Sequence, residues 1–436
     1  MSMVELHTFP ETGRGLRAKQ DLALDSIVLS AEWSTVWTVE AAHQEPVLGE
    51  ILVANQLSVD DTLALYLLFV KLSPKCSKSH SRKAHIKTGI PESYTASAFF
   101  EDDELQVAQG STLYNLTTQS LNQIEDDFRS LLHRIVLRHP DVFPLGKFNL
   151  EEYKWALFTI WSRAMDFKVS EEKSLRGIVP FLDMVNHSFD VKQCHVYDPS
   201  SNTVKILAGK NYKEGEEVFI NYGPVGNTKL LRLYGFVIPG NQFNAFDLVL
   251  STSPLAPFFK EKSDILAAAQ VPLDAAFQLT LQTPLPTPVL QYLRIQRLEW
   301  TELNLVTAIA DKTKAGVTPF TARNEYEILT TLEESFDSIL AGFPVKADQL
   351  EAWIELGKFK KYSNSWMSAI VSLEEQQILA KSLAEVRRLL AGLVCGQCGK
   401  GELGLKKCSR CNVTGYCGAV CQKQHWGVHK LGCVNQ

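Results

Sequence analysis

The sequence predicts an α+β protein: a β-rich core carrying a helical insert, a second, helical domain, and a small metal-binding module at the C-terminal end. Three observations predict it. Strand-type segments occupy residues 4–40 and 176–236, with a long helical pattern between them. Helical periodicity then dominates 241–392. Seven of the nine cysteines crowd into residues 395–436.

The bulk numbers fit that architecture. A chain of 436 residues suggests two to three domains. With 45% hydrophobic and 21% charged residues, it has the composition of an ordinary globular protein with a sizeable core. A net charge of −5 gives no global argument for nucleic acid or an anionic membrane as partner. The opening Met1-Ser2-Met3-Val4-Glu5 lacks the basic-then-apolar pattern of a secretory leader. The greasiest run, Leu63 to Leu72, is well short of the ~20 apolar residues that span a bilayer. The expected location is cytosol, nucleus or both, where clustered cysteines read as metal ligands before disulfides.

Taken in order, residues 4–40 read as short strands and turns, with Gly13-Arg14-Gly15 a turn and Ser26 to Ser30 a β-rich run. From about 45 to 165 the pattern is helical. Leu121, Ile124, Phe128, Leu131, Leu132 and Ile135 recur at three- and four-residue steps, and Glu152 to Phe167 reads as a second, aromatic-rich helix. Ser77 to Lys87 reads as a mobile, basic surface loop. Val204 to Leu207 and Val218 to Tyr222 are strand-type runs with a turn at Glu214-Gly215. In 241–392, Ile328, Leu329, Leu332, Phe336 and Ile339 mark one face of a helix over 321–340, and Ser372-Leu373-Glu374-Glu375 reads as a capping box opening a helix to Gly392.

The terminal cluster is Cys395-x2-Cys398, Cys408-x2-Cys411, Cys417-x3-Cys421 and His429-x3-Cys433. Eight donors suffice for two tetrahedral zinc ions, and pairs four apart share one face of a helical turn. Spacing leaves the pairing open. The segment, with Tyr416-Cys417, Cys421-Gln422, Trp426 and His429-Lys430, resembles the MYND finger. The resemblance implies interleaving: Cys395, Cys398, Cys417 and Cys421 on one zinc, and Cys408, Cys411, His429 and Cys433 on the other. It leaves His425 as a surface residue. All four positions of each site would be protein, so the zincs are structural. The resemblance further implies a proline-containing peptide as the finger's partner. Six Lys or Arg against one Glu suggest a basic patch. Counting two Zn2+ and seven thiolates reduces it to about +2, which argues against nucleic acid.

Three further segments are each weak alone. Gly13-Arg14-Gly15-Leu16 reads blandly as a turn, Asn186-His187-Ser188 as a loop, and Tyr222 as a strand aromatic. In order, and within Val179 to Ser188, Glu217 to Gly223 and Tyr234-Gly235-Phe236, they resemble a SET domain. The helical stretch between the first two, with Phe99 to Leu105, Gly110 to Leu113 and Trp161 to Met165, is similar to the branch typified by the Rubisco large-subunit lysine methyltransferase. That branch follows its SET domain with a helical substrate-binding domain. The implied domains are a SET domain over 1–240 with an insert at about 45–165, a substrate-binding-like domain over 241–392, and the finger over 393–436.

The resemblance implies S-adenosyl-L-methionine as cofactor and a protein as substrate. It assigns Gly13, Arg14, Gly15, Asn186 and His187 to the cofactor, Tyr222 to catalysis, and Arg163, Asp183 and Tyr234 to substrate. In-line methyl transfer is orientation catalysis, and glycines allow close backbone approach. A tyrosine with an ordinary pKa of about 10 suits orienting better than proton abstraction. Arg163, in an apolar stretch, needs a partner if buried. Two departures stand out. Phe167 occupies the position of the branch's second arginine, and, unlike other SET families, no Cys-rich segment follows Phe236, a side that the helical domain closes in this branch. The leading expectation is lysine N-methylation; a histidine acceptor and an inactive zinc-finger adaptor remain as alternatives.

Overall fold

The computed structural model describes residues 3–169, 174–307, 309–411, 413–431 and 433. The chain divides into two compact units, 1–101 with 116–237, and 102–115 with 238–436. No helix among the described residues is long and apolar enough to cross a membrane.

The first unit is built on two small sheets. Strands β1 (Val4–Phe9), β2 (Gly13–Ala18), β6 (Asn186–His187) and β9 (Glu217–Ile220) form one, in the order β1-β2-β9-β6. Strands β3 (Ile27–Glu32), β7 (His195–Asp198) and β8 (Thr203–Leu207) form the other, in the order β3-β8-β7. Gly13-Arg14-Gly15 is not a turn. It opens β2, with Phe9 opposite Gly13, and the reversal lies in 10–12. Leu16, Val179, Val218 and Ile220 pack the sheet core.

The insert is helical as expected. Helix Val59–Leu72, capped by Ser58, buries every residue from Thr62 to Val70. A helix apolar on all sides belongs in the middle of its layer. Helix Leu150–Arg163, capped by Asn149, packs with it in one core. That helix stops earlier than the sequence suggests. Ala164 is extended, and Met165–Lys168 becomes β4, paired with β5 (Ser174–Gly177). Phe167 therefore lies on a strand, fully buried, edge-on to Trp33 and His195.

Residues 102–115 group with the second unit. A Cβ on Gly110 would lie 2.9 Å from the Gly342 carbonyl oxygen, so the backbones touch. The Glu375 carboxylate also caps the Thr112 N–H at 2.8 Å. This unit is not purely helical, because β10 (Phe246–Ser251) and β11 (Asp274–Leu279) form an antiparallel pair. Helix Ala322–Ala341 starts at its Thr321 cap, and Ile328, Leu329, Leu332 and Phe336 face the core. The last long helix, Asn364–Leu393, begins at Ser363 rather than Ser372. Ser372 is buried in mid-helix, and Glu375 caps a neighbouring helix instead of its own.

Candidate active site and metal centres

The first unit's sheet brings the three separated segments together. Strand β9 pairs antiparallel with β2, Leu16 opposite Val218, and parallel with β6, Asn186 opposite Phe219. Segments about 200 residues apart in the chain, β2 and β9, thus lie side by side, and β6 flanks β9 on its other edge.

Asn186 is the hub. Its amide nitrogen donates to Glu217 Oε1 at 2.7 Å and to the carbonyls of Thr12 and Arg14, each at 3.3 Å. Glu217 also accepts the Thr12 hydroxyl. Burial raises the Glu217 carboxyl above its usual range, against these hydrogen bonds. A Cβ at Gly15 would collide with Glu217 and sit 2.8 Å from the Asn186 nitrogen, so only glycine fits. Gly13, at φ +71°, has open space around it and is needed for its conformation alone. Arg14 turns its guanidinium to the Thr88 carbonyl at 3.1 Å and to the Gly89 carbonyl, the C-terminal end of helix Lys83–Thr88.

Beyond β9, Tyr222 donates its hydroxyl to the Val185 carbonyl at 2.9 Å, and its backbone N–H donates to His187 Nδ1 at 3.1 Å. The His187 ring stacks on Tyr222 at 4.9 Å, and Tyr234 lies 4.8 Å from Tyr222 on centroids. Burial pushes both tyrosines up and His187 down, so all three rings are neutral near pH 7. His187 Nε2 is buried without a partner. Because Nδ1 accepts, Nε2 carries the proton, an unused donor.

Arg163 and Asp183 form a buried pair, Nη1 to Oδ2 at 3.0 Å, with the Asp183 side chain fully enclosed. Burial opposes ionisation of Asp183. His85 and Arg163 outweigh it and hold the carboxyl below its usual range. For Arg163, burial opposes the charge, and Asp183 and its neighbours more than restore it.

Sequence reasoning gave no role to Glu217, His85 or Trp37. Only Glu217 lay within a quoted motif. His85 was hidden in Ser77 to Lys87, expected to be a mobile surface loop. Instead, helix Lys83–Thr88 buries His85 against Trp37.

In the second unit the eight zinc-type donors gather into two sets, Cys395, Cys398, Cys417 and Cys421, and Cys408, Cys411, His429 and Cys433. Within each set all donor atoms lie within 4.8 Å of one another. Metal–sulfur bonds of ~2.3 Å at tetrahedral angles require S···S edges of about 3.8 Å. The Cys408–Cys433 edge is 3.9 Å and the Cys398–Cys417 edge 3.5 Å. His429 presents Nε2 to Cys411 at 3.5 Å and Nδ1 to the Thr414 hydroxyl at 3.5 Å, an outer contact that orients a ligand ring. His425 is not a free surface residue. Its Nδ1 shares a hydrogen bond with the buried Tyr416 hydroxyl at 2.9 Å, and its ring stacks on His429.

Fold and site together define a SET-domain protein, and the SET domain profile matches residues 13–223. The Rubisco LSMT substrate-binding profile matches 253–379 and the MYND finger profile 395–433, so the chain carries a SET domain, a Rubisco LSMT-type substrate-binding domain and a MYND finger. Among curated relatives, the actin-histidine N-methyltransferase of Danio rerio is 25% identical over 407 residues, 88% of this chain and 66% of that protein. The fructose-bisphosphate aldolase-lysine N-methyltransferase of Arabidopsis thaliana is 26% identical over 379 residues, 82% of this chain and 74% of that protein. This chain spans a little under two thirds of the Danio rerio and Gallus gallus actin-histidine enzymes. The structure of the LSMT SET domain bound to lysine and AdoHcy shares the fold, with TM-score 0.76 and 22% identity over 88% of this chain and 87% of that one.

Proposed function

We propose that this chain is a protein N-methyltransferase that uses S-adenosylmethionine and takes lysine as acceptor. The observation that carries it is the convergence of Gly15 on β2 and Asn186–His187 on β6 on either side of β9, with Tyr222 just past the end of β9 bonded to and stacked on His187. The cofactor, when bound, supplies an electrophilic sulfonium methyl. A nitrogen–methyl bond forms, the carbon–sulfur bond breaks, and S-adenosylhomocysteine and a proton leave.

The chain's own residues do the rest by orientation and exclusion of water. Gly15 leaves room for the Glu217 carboxylate and the Asn186 amide that shape the cofactor cradle, and the spare His187 Nε2–H offers the cofactor a donor. Tyr222, neutral and tied to Val185, holds its oxygen fixed where CH···O contacts suit a polarised methyl. It does not take the proton. Exclusion of water at Tyr222 and Tyr234, together with the sulfonium charge of the bound cofactor, would lower the amine's pKa and favour the form that attacks. Arg163, compensated by Asp183, is near enough for its charge to act on Tyr222 and would serve as the substrate-side polar element. The two Cys and His sets suit structural zinc, with no open position for chemistry. A groove of about 380 Å³ lined by Ser409, Gln422 and Trp426 supports the reading that the finger takes a proline-containing partner peptide.

The lysine enzyme of Arabidopsis thaliana and the LSMT structure with bound lysine support the lysine acceptor. The actin-histidine relatives support a histidine acceptor as the second reading. Labelled S-adenosylmethionine offered with a cell lysate, with the modified sites read by mass spectrometry, tests the proposal. Label on lysine is expected, with at least a tenfold loss in Tyr222→Phe. Label on histidine transfers the reading to that acceptor. No label from zinc-loaded, cofactor-binding protein refutes an active enzyme and leaves the adaptor.

A further inference from the structure

Four buried side chains in the first unit form a hydrogen-bonded series that ends on Arg163. Trp37 is fully buried, and its indole N–H donates to His85 Nδ1 at 3.0 Å. An indole nitrogen can only donate, so His85 Nδ1 must accept and its ring proton sits on Nε2. That N–H lies 3.3 and 3.2 Å from the two carboxylate oxygens of Asp183. Asp183 in turn receives Arg163 Nη1 at Oδ2, 3.0 Å, and at its carbonyl, 3.1 Å. The ring of His85 is itself clamped. Gly89 lies against it so closely that no Cβ fits, and the Gly89 carbonyl receives Arg14.

We propose that His85 is a positioning residue: its Nε2–H holds Asp183, and through Asp183 the Arg163 guanidinium, in the orientation needed beside Tyr222. Guanidinium groups prefer to bind a carboxylate with two parallel hydrogen bonds. Here only Nη1 engages Asp183, and Nε is buried without a partner. The donor from His85 occupies the carboxylate from the other side and keeps the arginine from closing into a fork. Without that donor, Arg163 rotates onto both oxygens and withdraws from Tyr222. Trp37 fixes which nitrogen of His85 bears the proton, the same outer-contact logic that sets tautomers around metals and nucleophiles. The tautomer and its contacts stand on geometry alone. What Arg163 serves rests on the methyltransferase reading.

Imidazole nitrogen shifts of 15N-histidine-labelled protein report the tautomer without cofactor or substrate. The expected result is His85 protonated at Nε2 and bare at Nδ1, with that preference lost in Trp37→Phe. A proton on Nδ1 in the wild type overturns the proposal. Function is read by titrating S-adenosylhomocysteine calorimetrically and by kcat and KM for the acceptor found in the lysate. His85→Asn, too short to reach Asp183, is expected to lose tenfold or more in kcat/KM. His85→Gln, whose amide N–H can reach, recovers at least a third of wild-type kcat/KM. Equal losses in Asn and Gln, or no loss in Asn, overturn the proposal. A wild type with the expected tautomer and no methyl transfer instead removes the enzyme reading, and with it the role given to Arg163.

Discussion

Gly15→Ala is the substitution whose effect follows most directly from the geometry. The added carbon would occupy the space where the Glu217 carboxylate and the Asn186 amide meet, 2.8 Å from the latter's nitrogen. Both are ends of side chains, but neither is free to swing. Glu217 is held by Thr12 and Asn186, and Asn186 by three acceptors. Overfilling such a site costs about 1–3 kcal/mol, and one broken hydrogen bond of Asn186 adds about 1 kcal/mol. A loss of about 2–4 kcal/mol lowers the melting temperature of a unit this size by about 6–12 °C. Gly13→Ala is the internal control. Nothing lies within 4 Å of its Cβ, and only its φ of +71° penalises alanine, by about 1–2 kcal/mol. Thermal melts of both variants, with calorimetric titration of S-adenosylhomocysteine into Gly15→Ala, read the difference. Affinity is expected to fall about tenfold, the equivalent of ~1.4 kcal/mol. Equal melting shifts for the two variants would refute the packing argument, and unchanged affinity in Gly15→Ala would refute the cradle.

Two further outcomes are expected. Burial raises the Glu375 carboxyl to about 7, against an ordinary value of 4.5. The folded state then binds more protons than the unfolded between those values, so stability falls as pH rises from about 4.5 to about 7, by about 3 kcal/mol in total. Melts of the wild type at pH 5 and pH 8 should show a larger drop than melts of Glu375→Gln, and parallel curves would contradict the assignment. Metal analysis should find two zinc ions per chain, and a strong chelator should expose seven reactive thiols from 395–433 while the first unit keeps its melting transition; a metal-free finger with protected thiols would refute the zinc assignment.

Much of this site was legible because its chemistry is local in sequence. Cysteines at fixed spacing announce themselves in a few residues, and the finger's two ligand sets lie within 39 residues, whereas the Gly-x-Gly gains meaning only with the Asn186-His187 and Tyr222 segments that follow it in order. Helices with one apolar stripe were equally plain, as over 321–340. Reading failed where tertiary contacts override local signals. Ser372 has the spacing of a helix cap, but the helix continues past it on both sides because its flanks are apolar enough to be buried. Phe167 continues a helical pattern, yet β5 captures it as a strand. The β10–β11 pair was masked by surrounding helices. His85 shows the limit best. Its neighbours Lys83 and Lys87 give the segment a surface composition, and only the fold reveals that one face of that short helix meets Trp37 and Asp183.

The order in which the finger's donors alternate along the chain has its own consequence. Each metal draws two ligands from the first half of the segment and two from the second, so no cleavage of the backbone between Cys411 and Cys417 leaves either coordination shell whole. The two ions are therefore not independent modules that can be lost, inherited or engineered one at a time. Removing one frees a Cys-x2-Cys loop and one end of the Ala419–His429 helix, whose opposite end carries a ligand of the other ion. Occupancy should be all-or-none, and a segment shortened anywhere before Cys433 forfeits a ligand of the second site while loosening the frame of the first.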